Sequence, residues 1–196
     1  MARQFAVTWD YRCPFARNAH EALVVGLREG RDWDGRFWPF SLDQVHVEEG
    51  ATPVWQRGLD ESGVSGVRAL LWGIAVRDAF ADKFLDFHVA VFRARHDDGK
   101  KIADEAVLRE VATGVGLDPD AVAEEVASGR PLKALEAEHT EAVDRYAVFG
   151  VPTIIEGDQA AFVRMMERGN VDDFASALEL MPSIRLNEFK RTTIPR

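Results

Sequence analysis

A chain of 196 residues, 46% hydrophobic and 29% charged, has the composition of a soluble globular protein with enough apolar side chains for a packed core. Its 33 acidic against 24 basic side chains leave a formal charge of −9, which repels phosphate backbones; the basic residues form no stripe, only a small cluster at Lys190, Arg191 and Arg196. A single cysteine excludes an intrachain disulfide, a disulfide scaffold and a cysteine-built zinc site.

Gln4 to Trp9 predicts a short strand, with β-favouring Phe5, Val7, Thr8 and Trp9 closed by Asp10. The apolar window before Asp10 is too short for a signal peptide, and no later run approaches a membrane span, so cytoplasm is the expected compartment. Cys13 then stands where a helix begins, and Pro14 suits its first turn, where a missing N–H costs nothing. Phe15, Ala19, Ala22, Leu23 and Gly26 recur at helical spacing and Gly30 can end the helix. A second strand is expected over Arg36 to Leu42, with Pro39 limiting its ladder. The crossover helix of about 18 residues is long enough to join a parallel pair.

From Ser65 to about Phe149 nearly everything has helical period. Val67, Leu70, Leu71 and Ile74 line one face; Phe84, Phe87, His88, Val91 and Phe92 line another. Asp118-Pro119 reads as an N-cap with proline at the first helical position, and Gly129-Arg130-Pro131 punctuates again. Four or five short helices are expected here. After Gly150, Val151 to Ile155 is strand-like, Gly157-Asp158 is a hairpin signal, Ala160 to Met165 can pair back, and Asp172 to Met181 reads as an amphipathic helix. The expected fold class is thus α/β, a β–α–β and a β–β–α segment separated by a helical block.

Two short motifs carry chemistry. Cys13 at a helix N-terminus lies near roughly half a positive charge and several unsatisfied N–H donors, an arrangement that stabilises a thiolate. Arg12 and Arg17 flank it, opposed by Asp10 and Glu21. The competing reading is a buried structural cysteine. Val151-Pro152-Thr153, following Phe149-Gly150, places a proline at a strand opening, where either a cis or a trans peptide fits. His20 lies two turns beyond Cys13, about 10 Å along the helix, too far to activate the thiol, with solvent or the helical block as its expected neighbour. His88 sits on an apolar face and reads as a core residue. His46, His96 and His139 share no ligand spacing, so no metal site is expected. Trp9, Tyr11, Phe15, Trp38 and Phe40 read as core packing, with Phe15 the best candidate to wall a substrate groove. No nucleotide-binding or serine-hydrolase motif is present.

A strand, Cys13-Pro14-Phe15-Ala16, a helix, a helical insertion, and then Gly150-Val151-Pro152-Thr153 before a hairpin and final helix resembles the DsbA-like branch of the thioredoxin superfamily. That branch includes dithiol oxidoreductases, FrnE-like proteins, mycothiol-dependent reductases, kappa-class glutathione transferases and 2-hydroxychromene-2-carboxylate isomerases. The resemblance implies a thioredoxin fold in residues 1–50 and 148–196, with an all-helical insertion over 51–147. It implies that Cys13 is the nucleophilic thiol, that Pro152 is the cis-proline facing it, and that the Val151 backbone pairs with an extended substrate. Pro14, Phe15 and Trp9 are the accompanying candidate substrate contacts. Ala16 departs from the pattern: it occupies the position of a resolving cysteine, so a mixed disulfide on Cys13 needs an outside thiol for release.

Three functions are therefore weighed: monothiol exchange through a Cys13 thiolate of depressed pKa, a kappa-type transferase or isomerase holding a small thiol, and a non-catalytic binding module. The expected partners are a small thiol or disulfide and a second copy of the chain as a homodimer, with no nucleic acid and no membrane. No tightly bound cofactor is expected, and glutathione or mycothiol would serve as co-substrate.

Overall fold

Strand β1, Arg3–Trp9, is buried from Phe5 onward on both faces, as a strand must be when both its edges and both its faces are covered. It pairs in parallel with β2 (Trp33–Pro39) and antiparallel with β3 (Thr153–Glu156); β4 (Gln159–Phe162) completes the order β2-β1-β3-β4. The computed structural model describes residues 1–61 and 64–194; Arg196 of the basic tail lies outside the described residues.

Helix α1, Pro14–Arg28, makes the crossover between β1 and β2. It is 15 residues long, shorter than expected, because a Schellman cap closes it early. The Gly30 amide bonds the Leu27 carbonyl, the Arg31 amide bonds Gly26, and Gly30 takes φ +79°, which a side chain would resist. Strand β2 begins three residues before the expected start. Asp34 and Gly35 are poor strand formers, but pairing with β1 from Arg3↔Trp33 onward overrides their propensity. The strand also stops at Pro39; Ser41 caps α2 (Leu42–Val45), accepting the Gln44 amide at 3.2 Å.

Between α2 and β3 lie a 3-10 turn (Val54–Gln56) and helices α3 (Val67–Ala79), α4 (Ala81–His96), α5 (Glu105–Gly114), α6 (Pro119–Ala127) and α7 (Arg130–Tyr146). Helix α3 is not the one-faced helix the sequence suggests. Val67 and every residue from Ala69 to Val76 are buried, because α4, α6 and α7 all pack against it. The buried apolar residues of the insertion and of the sheet form one continuous core. Helix α8, Val171–Leu180, covers α1 on the other side, where Phe174 packs against Phe5 and Trp33.

A polar chain crosses the core where the insertion meets the sheet. The Tyr11 hydroxyl lies 2.8 Å from His88 Nδ1, His88 Nε2 lies 3.1 Å from His20 Nδ1, and His20 Nε2 lies 3.1 Å from the Thr8 carbonyl. A carbonyl only accepts, so His20 donates from Nε2 and accepts at Nδ1. His88 then donates from Nε2 and accepts the Tyr11 proton at Nδ1. Both rings are neutral: burial holds His20 down at about 4 and His88 well below its ordinary range. The insertion, rather than solvent, is thus the neighbour of His20, and His88 is a core residue.

His139, stacked on Phe40, is likewise held down at about 4 by burial. An unfolded chain binds a proton on each of these rings below about pH 6.5, whereas the native chain does not until about 4 or lower. The unfolded state therefore binds more protons in that window, and stability falls as pH falls, by about 1.4 kcal/mol per histidine per pH unit. Asp10, whose carboxyl burial pushes up, acts in the opposite direction, but it is one group against three. Urea unfolding at pH 7 and pH 5 should show a clear loss of stability at the lower pH, and an unchanged midpoint would contradict the neutral buried rings.

Candidate active site

Beyond β1 the chain turns through Asp10, Tyr11 and Arg12 to reach Cys13. The Asp10 carboxylate makes that turn: Oδ1 accepts the Arg12 amide at 2.9 Å and Oδ2 accepts the Leu42 amide at 2.9 Å, while the Asp10 carbonyl accepts the Cys13 amide at 3.1 Å. Arg12 in turn pairs with Asp43 at 2.6 Å, and Asp43 accepts the Gly66 amide at 2.7 Å. A Cβ on Gly66 would stand 2.7 Å from Arg12 Nε, so a larger residue there would push the Arg12 side chain from its place. The end of β1, α2 and the start of α3 are thereby tied together beneath the thiol.

Cys13 is the N-cap of α1. Its sulfur accepts the Ala16 amide at 3.4 Å and donates its proton to the Val151 carbonyl at 3.3 Å, and it is half-buried. The Val151–Pro152 peptide is cis. Pro152 is buried, and its carbonyl accepts the Val163 amide at 3.0 Å. The same loop is held from below by Thr8, whose hydroxyl accepts the Thr153 amide at 2.8 Å, while the Thr153 hydroxyl donates to the Gly150 carbonyl at 2.8 Å.

The electrostatics correct one expectation. The helix N-terminus was expected to depress the thiol's pKa; instead it is raised above the ordinary range. Burial, which penalises the thiolate, is the largest cause, and the buried Asp10 carboxyl adds to it. The amides of Ala16 and Phe15 and the guanidinium of Arg164 pull the other way and do not prevail. In the free protein Cys13 is a thiol at neutral pH.

A family model described as the DSBA-like thioredoxin domain matches residues 7–179. The chain belongs to the DSBA-like thioredoxin family. Among solved structures, Pseudomonas aeruginosa DsbA is 20% identical with a TM-score of 0.61, over 93% of this chain and 83% of its own. A 2-hydroxychromene-2-carboxylate isomerase is 17% identical with a TM-score of 0.65, over 95% of this chain and all of its own, 100%. The cytosolic disulfide reductase DsbM of P. aeruginosa, solved with GSH, is 20% identical with a TM-score of 0.61, over 93% and 100%. At these identities the likeness concerns the fold. A search of curated proteins returns no match.

Within this DSBA-like chain, Cys13, Val151 and Pro152 converge from the two ends of the sequence. Pro14 is exposed and Phe15 half-buried at the tip of α1, with the Arg164 guanidinium 4.3 Å over the Phe15 ring. Trp9 does not join them. It is fully buried and packs edge-on against His88, with no surface to offer a substrate. Ala16 is also fully buried beneath the thiol. Thr8, Asp10 and Arg164 complete the site without having been singled out as site residues from the sequence. Among the described residues, no three histidine, cysteine, aspartate or glutamate side chains gather closely enough to hold a metal ion.

Two measurements check this geometry. The rate of Cys13 alkylation by iodoacetamide should rise with pH with no plateau below about 8.5, the value of a free thiol; a plateau near 6 or 7 would show a stabilised thiolate. Thr8→Val, of nearly the same shape, leaves the buried Thr153 amide without its acceptor and should cost about 1–3 kcal/mol in urea unfolding.

Proposed function

We propose that this DSBA-like protein is a thiol-disulfide exchange enzyme that works by a monothiol mechanism through Cys13, with glutathione or mycothiol as co-substrate. The observation that carries the reading is the pairing of the Cys13 sulfur with the Val151 carbonyl across the cis-Pro152 loop, with Ala16 where a resolving thiol would stand. The deprotonated sulfur attacks a disulfide R–S–S–R, forming Cys13–S–S–R and expelling one thiolate. A second small thiol, attacking as its thiolate, takes R away as a disulfide and returns Cys13. No electrons are left over and no second cysteine is needed. A thiol without a stabilised thiolate makes a weak oxidant, so exchange and disulfide reduction suit Cys13 better than disulfide donation. That direction is consistent with a reducing cytosol, the compartment named for DsbM.

The protonated state of Cys13 favours a second reading, a kappa-type thiol transferase or isomerase in which the S–H donates a hydrogen bond to the sulfur of a bound thiol and forms no bond to it.

Intact-mass analysis after incubation with oxidised glutathione or oxidised mycothiol separates the two. Monothiol exchange gives a single adduct of one thiol, removed by free thiol and absent in Cys13→Ser. No adduct, together with calorimetric binding of the reduced thiol that persists in Cys13→Ser, would replace the first reading by the second. Neither adduct nor binding would leave a non-catalytic module.

A further inference from the structure

The segment following β4 crosses the first turns of α1 and is tied down on both sides of residue 164. Before it, the Val163 amide bonds Pro152. After it, the Met165 side chain is buried and its carbonyl accepts Asn18 Nδ2 at 2.8 Å. Farther on, Arg168 pairs with Glu21 and, at 3.1 Å, with Asp97. Arg17, buried in α1, joins the same two carboxylates at 2.8 and 2.5 Å. The position of Arg164 is therefore set by its neighbours, and it places a guanidinium over Phe15, close enough to Cys13 to act on its charge.

Among the arginines packed around the Cys13 end of α1, Arg164 is the one whose charge meets no carboxylate among the described residues. Arg3, Arg12, Arg17 and Arg168 all meet carboxylates, whereas Arg164 makes no ion pair among the described residues, in a chain of net charge −9. Beside the same loop, Phe149 and Phe162 stack with centroids 5.2 Å apart, and Phe149 keeps 66% of its surface exposed. The Phe162 ring lies against Gly150, one residue before the carbonyl that faces the thiol. A cation near the sulfur and an exposed apolar face on the loop that meets it suit an organic anion better than an inorganic one.

We infer that Arg164 is a specificity-determining residue of the Cys13 site, receiving a carboxylate of a small anionic thiol or disulfide. The inference rests on the monothiol reading of Cys13. The step it acts on is attack of the Cys13 thiolate on the anionic disulfide, which forms one mixed disulfide and releases one anionic thiolate.

The test compares rates of Cys13 adduct formation with three disulfides: anionic glutathione disulfide, uncharged bis(2-hydroxyethyl) disulfide and cationic cystamine. Each rate is divided by that of a free cysteine peptide, to remove the reagents' own reactivities. The protein should favour the anionic reagent over the neutral one, and the neutral over the cationic, with the order compressed by added salt. Arg164→Gln should lower the anionic-to-neutral ratio about tenfold, and Arg164→Lys should restore most of it. An unchanged ratio in Arg164→Gln, or equal slowing with all three reagents, overturns the carboxylate assignment and leaves monothiol exchange standing. Absence of any adduct with any of the three overturns the monothiol reading itself, and this inference with it.

Discussion

Thr8 is the residue through which the two halves of the site are held at a fixed distance. Its backbone is paired in the middle of the sheet, opposite Trp38, so it cannot drift. Its hydroxyl accepts a hydrogen bond from the Thr153 amide at the start of β3, and its carbonyl accepts one from His20 Nε2 on α1. The cis-Pro152 loop and the helix carrying Cys13 are both referred to this one buried position. The 3.3 Å separation between sulfur and Val151 carbonyl is a sum of short, fully buried links rather than a contact between two free loops. In such a frame small displacements are resisted, because each link is a hydrogen bond made away from water.

The chain of Tyr11, His88 and His20 extends this frame to the helical insertion. Its protons have only one neutral arrangement. If His20 carried its proton on Nδ1, two lone pairs would face each other at the Thr8 carbonyl, even with His88 reversed to donate to the Tyr11 hydroxyl. A purely apolar junction between α4 and the sheet would tolerate sliding by a turn. This junction tolerates none, because His88 on α4 must meet Tyr11 and His20 together. Gly73 on α3 serves the same junction, since a Cβ there would stand 2.5 Å from the Tyr11 hydroxyl. Polar groups in this core therefore set register, while the surrounding Trp9, Phe84 and Phe92 rings supply the burial.

The element order, the Cys13 cap and the proline after Gly150 were legible because each has a local cause: strand alternation, an N-terminal proline, a turn glycine. The start of β2 was not, since Asp34 and Gly35 become strand only through the neighbour that β1 provides. The burial of α3 on all sides was hidden for the same reason, as periodicity records which residues are apolar and not how many helices surround them. Trp9 fits its reading as core packing but not as a substrate contact, because strand sequence alone does not show which side of β1 a ring packs on. Thr8 and Arg164 gave no signal at all. One is an ordinary strand threonine and the other an ordinary surface arginine until residues 145 and 151 positions away along the chain, Thr153 and Cys13, are brought beside them.

The same limit explains why the thiol's charge state ran against its position. Sequence places Cys13 at a helix N-terminus, where the favourable field is worth typically 0.3–1 kcal/mol at exposed sites. It does not show that the sulfur is half-buried against the Val151 carbonyl, or that the Asp10 carboxyl is buried nearby, and those two effects prevail. For the exchange proposed for Cys13, the consequence falls differently on the two steps. In attack, a raised pKa lowers the fraction of thiolate but makes each thiolate more nucleophilic, so the two effects partly cancel. In release, Cys13 is the leaving group, and a high pKa slows departure with nothing to offset it. The groups that keep that penalty from being larger are the amides of Phe15 and Ala16 and the charge of Arg164. Because the chain has no second thiol to drive release, those three groups would, in the proposed exchange, bear on turnover through the leaving sulfur.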